Sequence, residues 1–325
     1  MKFPLYHRPS ALVFLDDETP YLEMLAMVLP QDWCIRFHTR MRDYLAQITA
    51  QALQWEDDVA QQQDIIDQWY KGKALPGLVL DYWRTQNHRY GLPSIAVVDY
   101  AMPAGNGLEV LRASPPWPPY RVLLTGKADE HTAVAAFNDG LIDRYVTKQT
   151  PDLVQQLTTV LRQQYKAPMA FHEGIWRNVL RRSQQQALLD RAVQQALVDW
   201  LKTHGCVEYV VLPEPFGLLA LDTTAHAHWL QFEMHKDLAA AVDLAQAAGH
   251  DAATLAAIAQ GQVLSDAEWL QAIGADTAPQ SAPAVALGTG GHLMAAHFPQ
   301  KALGAIGLSH QAFLASQPER GVDID

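Results

Sequence analysis

Five side chains have the types and positions to bind a metal ion and transfer a phosphoryl group: Asp16, Asp17, Asp99, Thr125 and Lys148. Three carboxylates brought together repel unless a cation sits among them. Oxygen donors with open positions suit Mg²⁺, which keeps several waters and shares itself with phosphate. A carboxylate oriented there can attack phosphorus and become an aspartyl phosphate. The Thr125 hydroxyl would hydrogen-bond one phosphoryl oxygen. Lys148, a compact point charge, would meet another and offset the added negative charge. That addition, about −1.5 to −2 at neutral pH by analogy with hydroxyl phosphates, is enough to move a loop. Thr125 and Tyr145, on adjacent strand ends, would move together as the readout.

Each group stands at the carboxyl end of an apolar run. Ala11–Leu15 runs into Asp16, Asp17 and Glu18, and Ile95–Val98 reads as a buried parallel strand stopping on Asp99. Arg121–Leu124 ends in Thr125-Gly126, and Asp143–Thr147 ends on Lys148. Trp33–Phe37 supplies one more strand. Helical spacing lies between them: Thr19-Pro20 opens a helix with Leu22, Leu25, Ala26 and Leu29 on its buried face. Further helices follow the turn at 104–107, span Glu130–Asn138, and begin after Thr150-Pro151. A proline-rich turn, Pro115 to Pro119, precedes the fourth strand. Strands alternating with helices predict a doubly wound parallel sheet whose strand ends share one edge. Any single acid there reads equally well as a helix cap. Functional groups at four of five strand ends read as one site.

The set resembles the receiver domain of two-component response regulators, the CheY-like family. The likeness covers residues 11 to about 163 and rests on Phe14-Leu15-Asp16-Asp17-Glu18, Val97-Val98-Asp99-Tyr100-Ala101-Met102-Pro103 with Gly107-Leu108-Glu109, Leu123-Leu124-Thr125-Gly126, and Tyr145-Val146-Thr147-Lys148. It implies a flavodoxin-like five-stranded sheet in the order 2-1-3-4-5. It makes Asp99 the phosphoacceptor, Asp16 and Asp17 the acidic pair of the Mg²⁺ site, and the Ala101 backbone carbonyl the third protein ligand. Thr125 and Tyr145 become the switch pair, and Lys148 the family's lysine. The partner it implies is a sensor histidine kinase or a phosphotransfer protein. The only catalysis it implies is of the domain's own phosphorylation and dephosphorylation.

Two features depart from the family. Asp17 and Asp99 stand 82 residues apart, so residues about 40–90 form a helical insertion, expected beside the sheet, where it could gate partner access. Gln149 follows the lysine where receivers usually carry proline, which leaves either a trans bond with a displaced lysine or a strained cis bond.

With 325 residues, the chain is expected to hold a receiver at 1–165, a helical linker at 166–205 and a small α+β domain at 206–325. The distribution of charge says more than its sum of −11. Residues 1–150 carry 14 basic and 18 acidic side chains, residues 151–205 carry 7 and 4, and residues 206–325 carry 3 and 13. Nucleic-acid binding rests on Lys and Arg against phosphates, so the terminal segment is a poor candidate for it. No apolar run reaches membrane-spanning length and no secretory signal is recognisable, so a cytoplasmic location is expected. Cys34 and Cys206 read as buried thiols.

The linker offers a wide apolar face from Leu188 to Leu201, which would either pair two chains as a homodimer through 170–205 or pack onto the second domain. Arg177, Arg181, Arg182 and Arg191 are its basic cluster, read as a solvated face because no helix-turn-helix spacing follows. His172 reads as a cap or surface group. Beyond 206, strands at 207–212, 216–221 and 226–232, three helices, and a hairpin around Gly288–Gly291 give an α+β pattern that faintly resembles a PAS-type sensory fold. His226 and His228 share a strand face, where they pack or, with a third ligand, bind metal. Residues 299–325 are expected to be loosely attached.

The expected function is that of a response regulator phosphorylated on Asp99 in a Mg²⁺-dependent step, with output through a C-terminal domain that does not bind DNA. Two alternatives are a DNA-binding regulator acting through 170–205, and a ligand-sensing or enzymatic second domain controlled by the receiver.

Overall fold

A computed structural model describes residues 3–103, 105–115, 120–126, 130–165, 170–318 and 320. The core of the proline-rich turn (116–119), the expected break at 166–168 and the last five residues lie outside them.

Continuous apolar runs become buried strands, and amphipathic runs become the helices that cover them. The first half holds β1 (Tyr6–His7), β2 (Ala11–Leu15), α1 (Thr19–Val28), β3 (Cys34–His38), α2 (Met41–Tyr70), α3 (Leu75–Thr85) and β4 (Pro93–Asp99). A two-stranded ribbon, β5 (Ala101–Met102) with β6 (Gly105–Asn106), leads into α4 (Gly107–Ala113). Then come β7 (Tyr120–Thr125), α5 (Glu130–Asn138), β8 (Arg144–Thr147) and α6 (Leu153–Tyr165). Three helices follow, α7 (Ala170–Asn178), α8 (Arg182–Leu189) and α9 (Arg191–Thr203). The last part holds β9 (Cys206–Pro213), β10 (Phe216–Asp222), β11 (Ala227–Met234), α10 (Leu238–Ala247), α11 (Ala252–Ala259), β12 (Val263–Ser265), α12 (Ala267–Ala272), β13 (Ser281–Leu287), β14 (Leu293–Pro299) and α13 (His310–Ser316).

The chain divides into two compact units. One comprises residues 9–59, 88–167 and 313–325, and is built on a five-stranded sheet in the order β3-β2-β4-β7-β8, parallel at every pairing. This is the flavodoxin-like order expected. Successive residues of a strand face opposite sides, so Leu12, Phe14, Ile95, Val97 and Val122 pack with Leu22, Leu25, Leu157 and Leu161 of α1 and α6. On the other face, Val13, Leu15, Ala96, Val98 and Leu123 pack with Leu108, Leu111, Ala133 and Ala136 of α4 and α5. Tyr44 and Ile48 of α2 join that second face.

The other unit comprises residues 1–8, 60–87 and 168–312, around an antiparallel seven-stranded sheet in the order β1-β9-β10-β11-β14-β13-β12. Both expected hairpins, β10–β11 and β13–β14, are present within this one sheet.

Several sequence-based boundaries differ from this division. The parallel-sheet unit does not start at residue 1, where a receiver at 1–165 is expected to begin, because Tyr6 and His7 pair with Val210 and Tyr209 as the edge strand of the antiparallel sheet. Only part of the insertion at 40–90 lies beside the parallel sheet, where Tyr44 and Ile48 pack, and residues 60–87 belong to the other unit. Ile65 and Ile66 of α2 and Leu75, Val79, Leu80 and Trp83 of α3 are buried in the core of the antiparallel unit. Residues 166–205 are not a linker either, since Trp176, Val179, Leu188, Val193, Leu197 and Leu201 fill that same core. Their apolar face is covered within its own chain, which settles its use in favour of packing. Gln62 pins the arrangement: fully buried, it donates to Tyr6 Oη at 2.9 Å and accepts from Trp176 Nε1 at 2.8 Å.

His172 is fully buried and stacked on Tyr6, with ring centroids 5.0 Å apart, rather than capping a helix at the surface. Residues 299–316 are not loose, because Ile306 is buried at 0% exposure and Phe313 at 6%, the latter against Tyr90. Among the described residues no helix is long and apolar enough to cross a membrane.

A fragment ending at residue 165 is therefore expected to behave badly. It leaves the apolar faces of residues 60–87 without the helices and sheet that bury them, so it should bind a hydrophobic dye and self-associate on size-exclusion chromatography. The full chain should do neither.

Candidate functional site

Parallel strands deliver Asp16, Asp99, Thr125 and Lys148 to one sheet edge because each is the last residue of, or the first beyond, its strand. Sheet order then sets their spacing. β2 and β4 are neighbours, so Asp16 and Asp99 stand side by side. β7 comes next, followed by β8, so Lys148 has to reach past a strand to the acids. Strands lie about 4.8 Å apart, so β8 and β4 are about 9.6 Å apart, and the lysine stem and the acidic side chains close that span together. Its Nζ sits 2.8 Å from Asp16 Oδ2 and 2.9 Å from Asp99 Oδ1. Thr125, on the strand passed over, is short, which leaves room above it.

Local chemistry holds the pieces. Asp16 Oδ1 accepts the Glu18 amide at 3.0 Å as the chain turns into α1. Lys148 N donates to Thr125 O at 2.8 Å, tying β8 to β7 just before the turn, and its bond to Gln149 is trans. Asn106 and Glu109 form a capping box at the start of α4. Gly107 lies so close to the end of β4 that a Cβ would stand 2.1 Å from Asp99 O, which no side chain survives. Tyr100 N donates to Leu124 O and Gly107 N to Tyr100 O, closing the loop after β4.

Asp16 is 1% exposed and Asp99 3%, so both carboxylates lose most of their hydration. Burial, with the neighbouring charges of Asp16 and Asp17, pushes Asp99 up to about 6 against the pull of Lys148. Burial raises Asp16 as well. For Lys148, burial works to lower the pKa, but hydrogen bonds and charge from the two acids outweigh it and the net shift is upward. The ammonium is thus locked on.

The carboxylates also fit a hard cation. One oxygen from each of Asp16, Asp17 and Asp99 lies within 4.8 Å of the others. Octahedral Mg²⁺ with bonds near 2.0–2.1 Å places its donors about 2.9–4.2 Å apart. Asp17 Oδ1 and Thr125 Oγ1 are both buried without a hydrogen-bond partner. Buried polar atoms are rarely left so, and a cation and an anionic oxygen respectively would satisfy them. Ala101 lies two residues past Asp99 on the β5–β6 ribbon. Tyr145, the second residue of β8, is half-buried against the side of the sheet carrying α4 and α5.

Two contributors are missing from the sequence reading. Tyr21 lies under the lysine, with Nζ 4.9 Å from its ring centroid, and its hydroxyl is a further buried group without a hydrogen-bond partner. Its position in the first turn of α1, just after the acidic run, was the available signal. The close approach of Gly107 to Asp99 is the other, since the sequence shows that residue only as part of a turn and a motif.

No family model matches the chain, and neither does any curated protein sequence. Over its whole length the chain superposes on the Legionella pneumophila response regulator LqsR, covering 100% of both chains with a TM-score of 0.70 and 23% identity. The fold of that regulator, in both its units, is the fold of this chain. A CheY-like response regulator receiver domain protein from Methanospirillum hungatei covers 49% of this chain and 98% of its own, at 19% identity and TM-score 0.31. The signal receiver domain of an HD domain-containing protein from Pseudomonas fluorescens covers 51% and 98%, at 19% and 0.31.

Two measurements follow from the electrostatics. Lys148→Met strands two buried carboxylates, so it should cost about 3–5 kcal/mol at pH 7.5, partly recovered by millimolar Mg²⁺ in thermal denaturation. For Asp99 the folded value near 6 exceeds the unfolded one near 3.9. Its protonated form is favoured by folding, so that contribution is present below about pH 4 and lost as pH rises past 6. Asp99→Asn should thus match wild type near pH 4 and exceed it by on the order of 2 kcal/mol at pH 8 without divalent ions.

Proposed function

We propose that this protein is a response regulator that accepts a phosphoryl group on Asp99 from a sensor histidine kinase or phosphotransfer protein. The observation that carries the reading is the convergence of Asp16, Asp17 and Asp99 with Lys148, whose ammonium is 2.9 Å from Asp99, beside the unpartnered Thr125 hydroxyl. The whole-length fold likeness to a response regulator supports it.

In this reading Asp16, Asp17, Asp99 and the Ala101 carbonyl hold Mg²⁺, which when bound neutralises carboxylate and phosphoryl charge. One Asp99 carboxylate oxygen attacks phosphorus as the bond from phosphorus to the donor's nitrogen or oxygen breaks. That bond's electron pair leaves with the donor, and an acyl phosphate remains on Asp99. Thr125 Oγ1, free of protein partners, donates to one phosphoryl oxygen. Lys148 moves from carboxylate to phosphoryl oxygen, and Tyr145 follows Thr125 on the adjacent strand.

Output then passes through the antiparallel-sheet unit by protein contacts. DNA recognition through 170–205 is disfavoured by its own arginines, because Arg177 is paired with Glu173 and Arg181 with Glu214.

Incubation with acetyl phosphate and Mg²⁺ tests the acceptor. Wild type should gain the mass of one phosphoryl group, lost on hydroxylamine treatment, and Asp99→Asn should gain none. Equal labelling of the two proteins would remove Asp99 from this role.

A further inference from the structure

The antiparallel sheet carries a cluster of imidazoles that the phosphoryl site does not use. His297 of β14 pairs across the ladder with Leu230, two residues from His228, so the two histidines are diagonal neighbours on one sheet face. His228 Nδ1 and His297 Nε2 are 3.1 Å apart. His204, which caps the C-terminus of α9, stands edge-on to both, with ring centroids 4.4 Å from His297 and 5.7 Å from His228. Trp200, one turn earlier on α9, borders the same group at 5.2 Å from the His297 ring. All three histidines are half-buried, so the cluster keeps access to solvent.

We infer that His204, His228 and His297 form a binding site for a divalent transition metal of the zinc type. Imidazole donors select this class over Mg²⁺ or Ca²⁺, and three histidines with one open position make a tetrahedral site. Zn–N bonds near 2.0–2.1 Å place two nitrogens of one tetrahedral ion about 3.3–3.4 Å apart, close to the His228–His297 spacing. Outer partners that fix imidazole tautomers are already in place, and such partners accompany most metal-bound histidines. The His204 Nδ1–H donates to Trp200 O at 2.8 Å, which leaves Nε2 as the lone pair. Asp222 Oδ2 faces His228 Nε2 at 3.6 Å, favouring the proton on that side and the lone pair on Nδ1.

Asp222 is itself held rigidly. Its Oδ1 accepts from Thr224 N, Thr224 Oγ1 and His226 N at 2.7–3.0 Å, which leaves Oδ2 to the histidine. His228 and His297 already stand at ligand spacing, and the His204 ring borders both. His226 is exposed and bonded to Thr224 Oγ1, so of the two histidines that share a strand pattern only His228 belongs to the site. The sequence could not reveal the others, which lie 24 residues before and 69 after His228.

The test is Zn²⁺ titration of the full chain against a chromophoric chelator, with millimolar Mg²⁺ present to occupy the carboxylate site. One Zn²⁺ per chain is expected. His228→Gln or His297→Gln should weaken uptake more than about 100-fold, Asp222→Asn by about 10–100-fold, and His226→Gln should leave it unchanged. Should the ligand variants misfold by circular dichroism, the wild type alone decides: Zn²⁺ should protect His228 and His297 from diethyl pyrocarbonate, mapped by mass spectrometry. A wild type that takes up no Zn²⁺, variants that bind as tightly as wild type, or rings that stay unprotected would each overturn the assignment.

Discussion

The Lys148 ammonium, held between Asp16 and Asp99, is the interaction on which the parallel-sheet unit turns. Two carboxylates almost without water would repel each other and lose solvation at the same time. One cation reaching across a strand offsets both costs and fixes the heights of β2, β4 and β8 relative to one another. On the proposed function, a phosphoryl group competes for that same ammonium. Whatever takes the lysine away also loosens what the lysine was holding. Coupling chemistry to a shift in structure therefore needs no extra device at this edge.

The neighbouring features serve the same constraint. Gly107 lets α4 start against β4, where any Cβ would meet the Asp99 carbonyl. The capping box at Asn106 and Glu109 fixes the direction in which that helix leaves. Thr125 stays short, and its hydroxyl stays unspent, on the strand that the lysine crosses. Low dielectric strengthens such a polar cluster when it is satisfied and penalises it when it is not.

Much of this was legible in the sequence because buried parallel strands are written as unbroken apolar runs, and the polar residue that ends each run marks the edge. The five strand-end positions followed from that, and the strand order from the resemblance to receiver domains. Domain limits did not. The repeats of α2 and α3 say that one face is buried but not against which sheet, and Ile65 and Trp83 turn out to serve the antiparallel one. The face from Leu188 to Leu201 was ambiguous for the same reason. β1 is two residues long, too short to carry any period. His172 shows the limit for single residues, since nothing local tells a buried, stacked imidazole from a surface one.

The interleaving of the two units bears on how the chain is made. Arg320 donates to Leu29 O at 3.1 Å and also reaches Pro30 and Trp33, contacts spanning about 290 positions, while Phe313 closes on Tyr90. During synthesis, every strand of the antiparallel sheet leaves the ribosome before the segment that straps the parallel one arrives. Strand β4 is among the earlier parts to emerge, yet its unit is sealed only after its companion has been translated. Closing such long loops is slow, so a nascent chain passes through an interval in which the acidic edge exists but its support is unfinished.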